Sequence, residues 1–495
     1  MAGIKNKCPA IFQYTTFKVF KIFRLWKGRG KMRIHEIKNT DMNAYYNVMS
    51  QLGDFTDAMS FEAFDRGDAA RDSITSIEDF ERRREFLRDC FIRAIGGIPD
   101  FRIPLNAKIT GVIQQGGFRI EKVIYESRPG VYVTANLYVP DGIEKPAAAI
   151  LFLCGHAKEA KQYRQYQKVC RHLAAAGFVV LAQDPVGQGE RLSYYEPSIN
   201  ATTVDWGTVE HDYAGIQCML LGDSIARYFL HDAMRGIDYL CSRAEVDPAR
   251  IGVTGNSGGG TQTSLMMICD QRIAAAAPGT FIMNRRSFVK ARGVLDAEQI
   301  WEGMSALGFD HEDILLAMAP RPVLVLAASY DFFPVEGTME TFRRAKRFWE
   351  LYGKPENLEI FVDNSPHSYT EDMARRAADF FSRHLLGKPY ENRTDMPVLE
   401  ESLLNCTQSG QVRGDYQKAK FVYEEILDRL KEIEKAKNDL TEEERRDRAL
   451  KWLSEKVFYN RKPCELNPRF YRTEHAEDMT VQKCFWWSQT GLINH

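Results

Sequence analysis

Short, continuously apolar runs recur along the middle of the chain, a pattern typical of strands buried on both faces of a sheet. Segments with helical periodicity separate most of these runs, and this alternation of strand and helix predicts a mostly parallel central sheet flanked by helices. The predicted strands are 147–154, 178–182, 250–254, 273–277, 323–328 and 358–362. The predicted helices are 165–176, 224–240, 260–270, 338–352 and 371–386.

The segments before these strands predict a hairpin and a helix. Residues 118–126 and 131–139 read as antiparallel strands joined by a Ser-Arg-Pro-Gly turn. Upstream, residues 77–95 place apolar side chains at helical spacing until a Gly-Gly-Ile-Pro sequence ends the pattern. We therefore expect a helical lead-in at 41–109 and a catalytic domain of α/β type at 110–410.

The C-terminal extension, residues 411–495, has a charged helical pattern of its own, and Thr441 to Glu444 form a capping box at the second of two helices. A strand-like run at 481–492 aligns without gaps with 120–131 and shares Lys, Ser and Gly with it. This match leads to the hypothesis that the extension is the start of a truncated second module. A coincidental match of one strand is the alternative, since three shared residues form a weak repeat.

Residues 1–40 form a basic leader. Lys18, Lys21, Arg24 and Lys27 interrupt its apolar residues, whereas a signal peptide needs an apolar core of roughly 7–15 residues. A basic amphipathic segment can lie on an anionic membrane, but Met32 and Met42 follow closely, and a misassigned start would give the same pattern. We expect a disordered or artefactual leader and a cytoplasmic protein.

Composition excludes several classes of protein. Lys+Arg is 66 and Asp+Glu is 67, so the net charge of 66 − 67 = −1 lacks the basic field that general nucleic-acid binding uses. Hydrophobic residues make up 44% of the chain, which is enough to form a core. The 10 cysteines include no Cys-x-x-Cys pair, which argues against a disulfide scaffold and a zinc module. No apolar stretch reaches the roughly 20 residues of a membrane span.

The strongest chemical signal is Gly255-Asn256-Ser257-Gly258-Gly259, which lies between a predicted strand and a predicted helix. In that position Gly-x-Ser-x-Gly is the nucleophile elbow, where small neighbours let a strained turn present the serine hydroxyl. The alternatives are a glycine-rich turn without chemistry or one that binds phosphate. A phosphate site would favour a lysine beside the motif, and none is present there.

A serine nucleophile needs a histidine base and a carboxylate, in the chain order Ser, acid, His. Asp331 follows the predicted strand 323–328, and His367 follows 358–362. Both should therefore lie at the same sheet edge as Ser257. Each has a simpler interpretation, Asp331 as a turn residue and His367 as a surface loop residue, and Asp363 is the reserve acid.

The tetrahedral intermediate of ester hydrolysis needs two backbone donors. Gly258 follows the nucleophile and supplies the first by position. The second should come from the loop 155–157 after the third strand, with His156 as the first choice. His156 has an equal alternative, which is to line the pocket with its side chain. This chemistry requires no metal and no organic cofactor.

Several motifs resemble the α/β-hydrolase superfamily, and within it most closely the acetyl xylan esterase and cephalosporin-C deacetylase type, with prolyl oligopeptidase-like hydrolases as neighbours. The resemblance covers residues 110–390. It implies an α/β-hydrolase fold with helical N- and C-terminal extensions, a Ser257, Asp331 and His367 triad, and deacetylase or carboxylesterase activity. The motifs are Gly-Asn-Ser-Gly-Gly at 255–259, Asp-Pro-Val-Gly-Gln-Gly at 184–189, His-Asp-Ala-Met-Arg-Gly-Ile-Asp at 231–238, Asp-Pro-Ala-Arg-Ile-Gly at 247–252 and Ala-Pro-Arg-Pro-Val at 319–323.

These observations predict a serine hydrolase that cleaves small acyl esters, preferably acetyl esters of carbohydrate. The alternatives are a serine peptidase of the prolyl oligopeptidase-like type and a catalytically silent binding protein. The expected partner is a small-molecule or oligosaccharide ester, with no nucleic acid and no integral membrane segment, and a homo-oligomer is compatible with the sequence.

Overall fold

The computed structural model describes residues 46, 48–100, 103–391, 397–459, 461–476 and 478–495. The predicted leader at 1–40 lies outside these residues. The chain divides into two compact units, one consisting of Thr56–Tyr459 and the other of Met1–Phe55 with Asn460–His495. No helix in the described ranges is long and apolar enough to cross a membrane.

The larger unit is built on a nine-stranded sheet whose strand order is β1-β2-β3-β5-β4-β8-β9-β10-β11. The three pairs from β1 to β5 are antiparallel, and the five pairs from β5 to β11 are parallel. A separate two-stranded ribbon is formed by β6 and β7. The strands are β1 (Lys108–Gln115), β2 (Phe118–Arg128), β3 (Val131–Pro140), β4 (Ala147–Leu153), β5 (Val179–Gln183), β6 (Tyr195–Glu196), β7 (Ala201–Thr202), β8 (Val246–Asn256), β9 (Ile273–Gly279), β10 (Val323–Tyr330) and β11 (Leu358–Pro366).

Helices connect most of the parallel strands, as the alternating pattern predicts. They are α1 (Gln51–Asp72), α2 (Ile77–Ala94), α3 (Arg164–Ala176), α4 (Thr208–Leu220), α5 (Ala226–Cys241), α6 (Gly258–Cys269), α7 (Arg285–Lys290), α8 (His311–Met318), α9 (Val335–Leu351), α10 (Glu371–Phe381), α11 (Val412–Asp415), α12 (Val422–Asn438) and α13 (Glu442–Trp452). The predicted mostly parallel α/β architecture is confirmed.

The central strands are buried on both faces. Along β4, Ile150 and Phe152 join one hydrophobic core, and Leu151 and Leu153 join the other. Helices α3 and α10 contribute to the first core, and α2, α5, α6, α8 and α9 contribute to the second. Since helices cover both faces, each position of these strands must be apolar, which explains the continuous runs in the sequence.

The predicted boundary between the lead-in and the catalytic domain differs from the structure at two points. Strand β1 begins at Lys108, before the expected start at residue 110. Helix α2 packs into the main core through Phe80 and Phe91, so the described lead-in from Thr56 onward belongs to the catalytic unit. The hydrophobic face of an 18-residue amphipathic helix needs such a partner, because most helical stability comes from tertiary packing.

The C-terminal extension is helical in its first half, and the strand-like run predicted at 481–492 lies in a sheet that follows. After α13 the chain forms an antiparallel sheet in the order β12-β13-β14. Its strands are β12 (Arg469–Ala476), β13 (Met479–Gln489) and β14 (Leu492–Asn494). Its interior is aromatic, since Phe485 is buried and contacts the ring edges of Tyr46 and Trp487. Aromatic residues favour a half-buried strand over a helix.

Strands β12, β13 and β14 form a C-terminal meander, which repeats the strand pairing of β1, β2 and β3. Lys108 pairs with Ile124 between β1 and β2, and Arg469 pairs with Phe485 between β12 and β13, so the two partners are equally far apart in the chain. Both hairpins then lose their regular register at the same step along the first strand. The pairing between the second and third strands also shifts register at the equivalent position in both meanders.

The segments that lead into the two meanders agree as well. Asn106 and Asn467 both adopt positive φ, at 45° and 39°. The preceding residues, Leu105 and Leu466, each accept a backbone hydrogen bond from the second strand, at 2.7 Å and 2.9 Å. The two meanders thus share pairing, backbone conformation and lead-in hydrogen bonds, and a second copy of the module remains a hypothesis.

The packing of α2 gives a testable prediction. We expect Phe91→Ala to lower the free energy of unfolding by about 3–5 kcal/mol, because it removes a fully buried ring from the core. That ring lies 4.8 Å from the ring of Trp301, centroid to centroid. Phe86 in the same helix is 48% exposed, and Phe86→Ala should change stability by less than about 0.5 kcal/mol. Urea unfolding followed by tryptophan fluorescence measures both variants, and equal losses would contradict the packing.

Candidate active site

Ser257 occupies a strained turn between β8 and α6. Its φ is 58° and its ψ is −119°, a conformation that non-glycine residues rarely adopt. The flanking glycines are required by close backbone contacts. A Cβ atom would lie 2.3 Å from the Leu153 oxygen at Gly255 and 2.0 Å from it at Gly259. The structure therefore has the geometry of a nucleophile elbow at the predicted position.

The neighbouring strand holds this turn through a residue that the sequence did not single out. The N–H of Ser257 donates to the Gly279 oxygen at 3.0 Å and to Thr280 Oγ1 at 3.1 Å. Thr280 Oγ1 donates in turn to Asn256 Oδ1 at 2.8 Å. Thr280 itself has a positive φ of 46°. Ser257 and Thr280, two strained residues that follow adjacent strands, are thus joined by a hydrogen bond.

Asp331 and His367 form a close pair. Nδ1 of His367 lies 2.8 Å and 2.9 Å from the two carboxylate oxygens of Asp331, whose side chain is 1% exposed. The N–H of Phe333 also donates to this carboxylate at 3.0 Å. The carboxylate therefore orients the imidazole ring, as a histidine base requires.

His367 Nε2 is buried and has no hydrogen-bond partner within the described part of the chain, so no such bond joins it to Ser257 Oγ there. Strands β8, β10 and β11 are parallel, so the residues that follow them lie at one edge of the sheet. Catalytic hydrogen bonds are often long before substrate binds.

The reserve acid has a different role. Asp363 lies within β11, and its Oδ2 accepts a hydrogen bond from Thr370 Oγ1 at 2.5 Å. Thr370 is the N-cap of α10. Asp363 thus supports the start of a helix, and the structure pairs His367 with Asp331.

Gly258 and the loop 155–157 carry the two predicted backbone donors. The N–H of Gly258 is the first of α6, where a helix leaves its N–H groups without an intrahelical acceptor. In the loop after β4, Ala157 donates to the Gly155 oxygen at 2.8 Å. Gln188 clamps the same loop by donating to the oxygens of Gly155 and Ala157 at 2.8 Å and 2.7 Å. The N–H of His156, between them, has no acceptor among the described residues.

The His156 side chain also lies against the elbow, since a Cβ atom at Gly258 would be 2.7 Å from its Nε2. That nitrogen is 2.8 Å from Glu298 Oε1. Burial would raise the pKa of Glu298, but the charges of His211 and His156 outweigh it and hold that pKa well below its ordinary value. Burial and the Glu298 charge raise the pKa of Asp296 to about 6.

No sequence pattern singles out His211 or Glu298. Both lie in the long irregular segments, 187–222 and 281–320, that connect predicted elements. Long segments of this kind are frequently functional, and that was the one available signal. Neither residue lies in a local motif.

Comparisons with known proteins agree with this fold. Residues 112–291 match the sequence model of the acetyl xylan esterase (AXE1) family. YtaP of Bacillus subtilis (strain 168), whose name describes it as a hydrolase, is 23% identical over 318 residues, which are 62% of this chain and 99% of YtaP. The uncharacterized peptidase YuxL of the same organism is 28% identical over 170 residues, or 34% of this chain and 22% of YuxL.

Among solved structures, Methylesterase BT1017 has a TM-score of 0.58 to this chain at 20% identity, covering 76% of this chain and 81% of that one. The likeness concerns the fold, a mostly parallel sheet flanked by helices. The chain has the α/β-hydrolase fold and is a carboxylic ester hydrolase whose residues 112–291 resemble the acetyl xylan esterases.

Proposed function

We propose that this hydrolase removes small acyl groups, above all acetyl, from carbohydrate by means of Ser257, His367 and Asp331. The observation that carries the proposal is the partly buried Asp331–His367 pair at the sheet edge that also presents the strained Ser257. The family match at 112–291 supports a carbohydrate ester as the substrate class.

In this mechanism His367 Nε2 accepts the proton of Ser257 Oγ as the oxygen attacks the ester carbonyl. The N–H groups of Gly258 and His156 stabilise the oxyanion of the tetrahedral intermediate. The imidazolium then protonates the leaving alcohol, and an acyl-enzyme remains. Water attacks this ester with His367 again as the base, which releases the acid and restores the serine.

An exposed aromatic ring beside the histidine supports a sugar substrate. Phe332 is 59% exposed, and its ring centroid lies 4.4 Å from that of His367. A large exposed apolar side chain at a reactive group is informative, because such surface is otherwise buried. The flat ring can stack on the apolar face of a pyranose whose ester lies at the serine.

The proposed roles predict the activity of three variants. We expect Ser257→Ala to lower kcat on p-nitrophenyl acetate about 10⁶-fold, because the nucleophile is lost. Asp331→Asn should lower it roughly 10⁴-fold, because the imidazole loses its orientation. Asp363→Asn is the matched control and should retain activity. Steady-state kinetics measure all three, and equal turnover by Ser257→Ala and wild type would refute the proposal.

Substrate selectivity separates the proposal from its alternatives. We expect acetate esters to react faster than butyrate and longer esters, because Ser257 is only 8% exposed and the shortest acyl group reaches it most easily. The similarity to a segment of YuxL makes a peptidase the second candidate. Faster cleavage of peptide p-nitroanilides than of any ester would favour it. Failure of Ser257 to react with a fluorophosphonate probe would favour a silent binding protein.

The aromatic surface gives a further prediction. Phe332→Ala should raise KM for acetylated xylo-oligosaccharides several-fold, because the stacking surface is lost, and should leave KM for p-nitrophenyl acetate unchanged. Phe86→Ala, which removes an exposed ring from α2, is the control. Equal effects of Phe332→Ala on both substrates would show that this ring does not contact sugar.

A further inference from the structure

Three side chains beside the elbow form a cluster with metal-ligand chemistry. His156, His211 and Glu298 each bring one ligand atom into a group whose atoms all lie within 4.8 Å of one another. We call these three residues the His–Glu cluster. His211 and Glu298 are buried, and His156 is partly exposed, so the cluster has a route to solvent.

The contact between His211 and Glu298 is close but is not a hydrogen bond. His211 Nε2 lies 2.8 Å from the Val186 oxygen, which can only accept, so that nitrogen carries the proton. In a neutral ring the other nitrogen, Nδ1, would present a lone pair to Glu298 Oε2 at 3.3 Å. Both atoms are buried and form no hydrogen bond with any described residue.

Two buried acceptors that face each other are unfavourable unless a positive charge lies between them. A proton on Nδ1 would have a poorly aligned acceptor, because the two atoms fail the geometry of a hydrogen bond. A metal ion fits better. With bonds of 2.0–2.1 Å, two ligands of a tetrahedral zinc ion are about 3.3 Å apart.

The surroundings also have the form of a metal site. Histidine ligands almost always direct their other ring nitrogen to a carbonyl or a carboxylate. His211 does so with the Val186 oxygen, and His156 Nδ1 lies 3.7 Å from Asp296 Oδ2. The 2.8 Å contact fixes the ring orientation of His211 from outside the cluster, and Asp296 lies near the outer nitrogen of His156 without a hydrogen bond to it.

We propose that His156, His211 and Glu298 bind a divalent transition-metal ion, with Zn²⁺ as the best match. Two histidines and one glutamate form a ligand set that zinc uses with water in the fourth position. The site goes beyond the proposed function, since it supplies neither nucleophile nor base. Because His156 lies in the 155–157 loop, the ion would position the second backbone donor next to Gly258.

The test measures metal in the intact protein. Wild type and Ser257→Ala are loaded with Zn²⁺, passed into metal-free buffer and analysed by mass spectrometry of the metal. We expect one zinc per chain in both proteins. Loading with Co²⁺ should give the visible absorption bands of a tetrahedral site, a readout that needs no variant.

Variants then identify the ligands. His211→Gln and Glu298→Gln should weaken zinc binding more than 100-fold, because loss of an outer partner alone costs about 10–100-fold. His384→Gln is the matched control, since His384 lies 3.3 Å from Glu359 Oε1 beside two arginines rather than a second histidine. It should bind zinc like wild type.

Each outcome decides the proposal. Absence of stoichiometric zinc together with absence of Co²⁺ bands in wild type would overturn it and assign the positive charge to a proton on His211. Wild-type affinity in folded Glu298→Gln, with circular dichroism as the check on folding, would overturn the ligand set. Zinc retained by an inactive Ser257→Ala supports both the zinc site and the proposed esterase function. Zinc in a wild type that cleaves no ester would support the zinc site and refute the esterase function.

Discussion

The close approach of β4 to the turn after β8 is the constraint on which the site depends. The Leu153 oxygen lies so near Gly255 and Gly259 that neither position has room for a side chain. The chain between them must therefore turn sharply, and Ser257 takes up the strain as a positive φ. Strain of roughly 1–3 kcal/mol persists only where the surrounding structure imposes it. Here the paired parallel strands impose it, so the position of the hydroxyl is a property of the whole sheet.

A buried ion-pair network supports the loop on the other side of the serine. Lys161 Nζ lies 2.6 Å from both Asp184 and Glu190, and all three side chains are buried. These acids begin and end the turn that carries Gln188, which holds the 155–157 loop through two backbone oxygens. Removal of one partner from such a network costs about 3–5 kcal/mol, because a charge is left buried without compensation. The rigidity of the 155–157 loop thus depends on charges that lie outside it.

The two ends of the chain differ in what they contribute. The described lead-in from Thr56 buries its rings in the catalytic core, so it is part of the hydrolase rather than an appendage. The C-terminal meander belongs to the other compact unit and has its own aromatic interior. Its register and bulges match those of β1 to β3, although few residues are shared. The two meanders thus have the same strand pairing although their side chains differ, because register depends on the pattern of buried positions more than on identity.

The sequence alone determined the parallel sheet, the elbow at Ser257 and the order of serine, acid and histidine, since continuous apolar runs and small residues around a turn are local signals. It did not reveal β1, an edge strand whose mostly exposed side chains show no hydrophobic pattern. Only the tertiary structure placed His367 against Asp331, which the sequence already preferred to Asp363, and only it brought His211 and Glu298 to the loop of His156. Those contacts join residues far apart in the chain, and side chains that meet through folding leave no periodicity in the sequence.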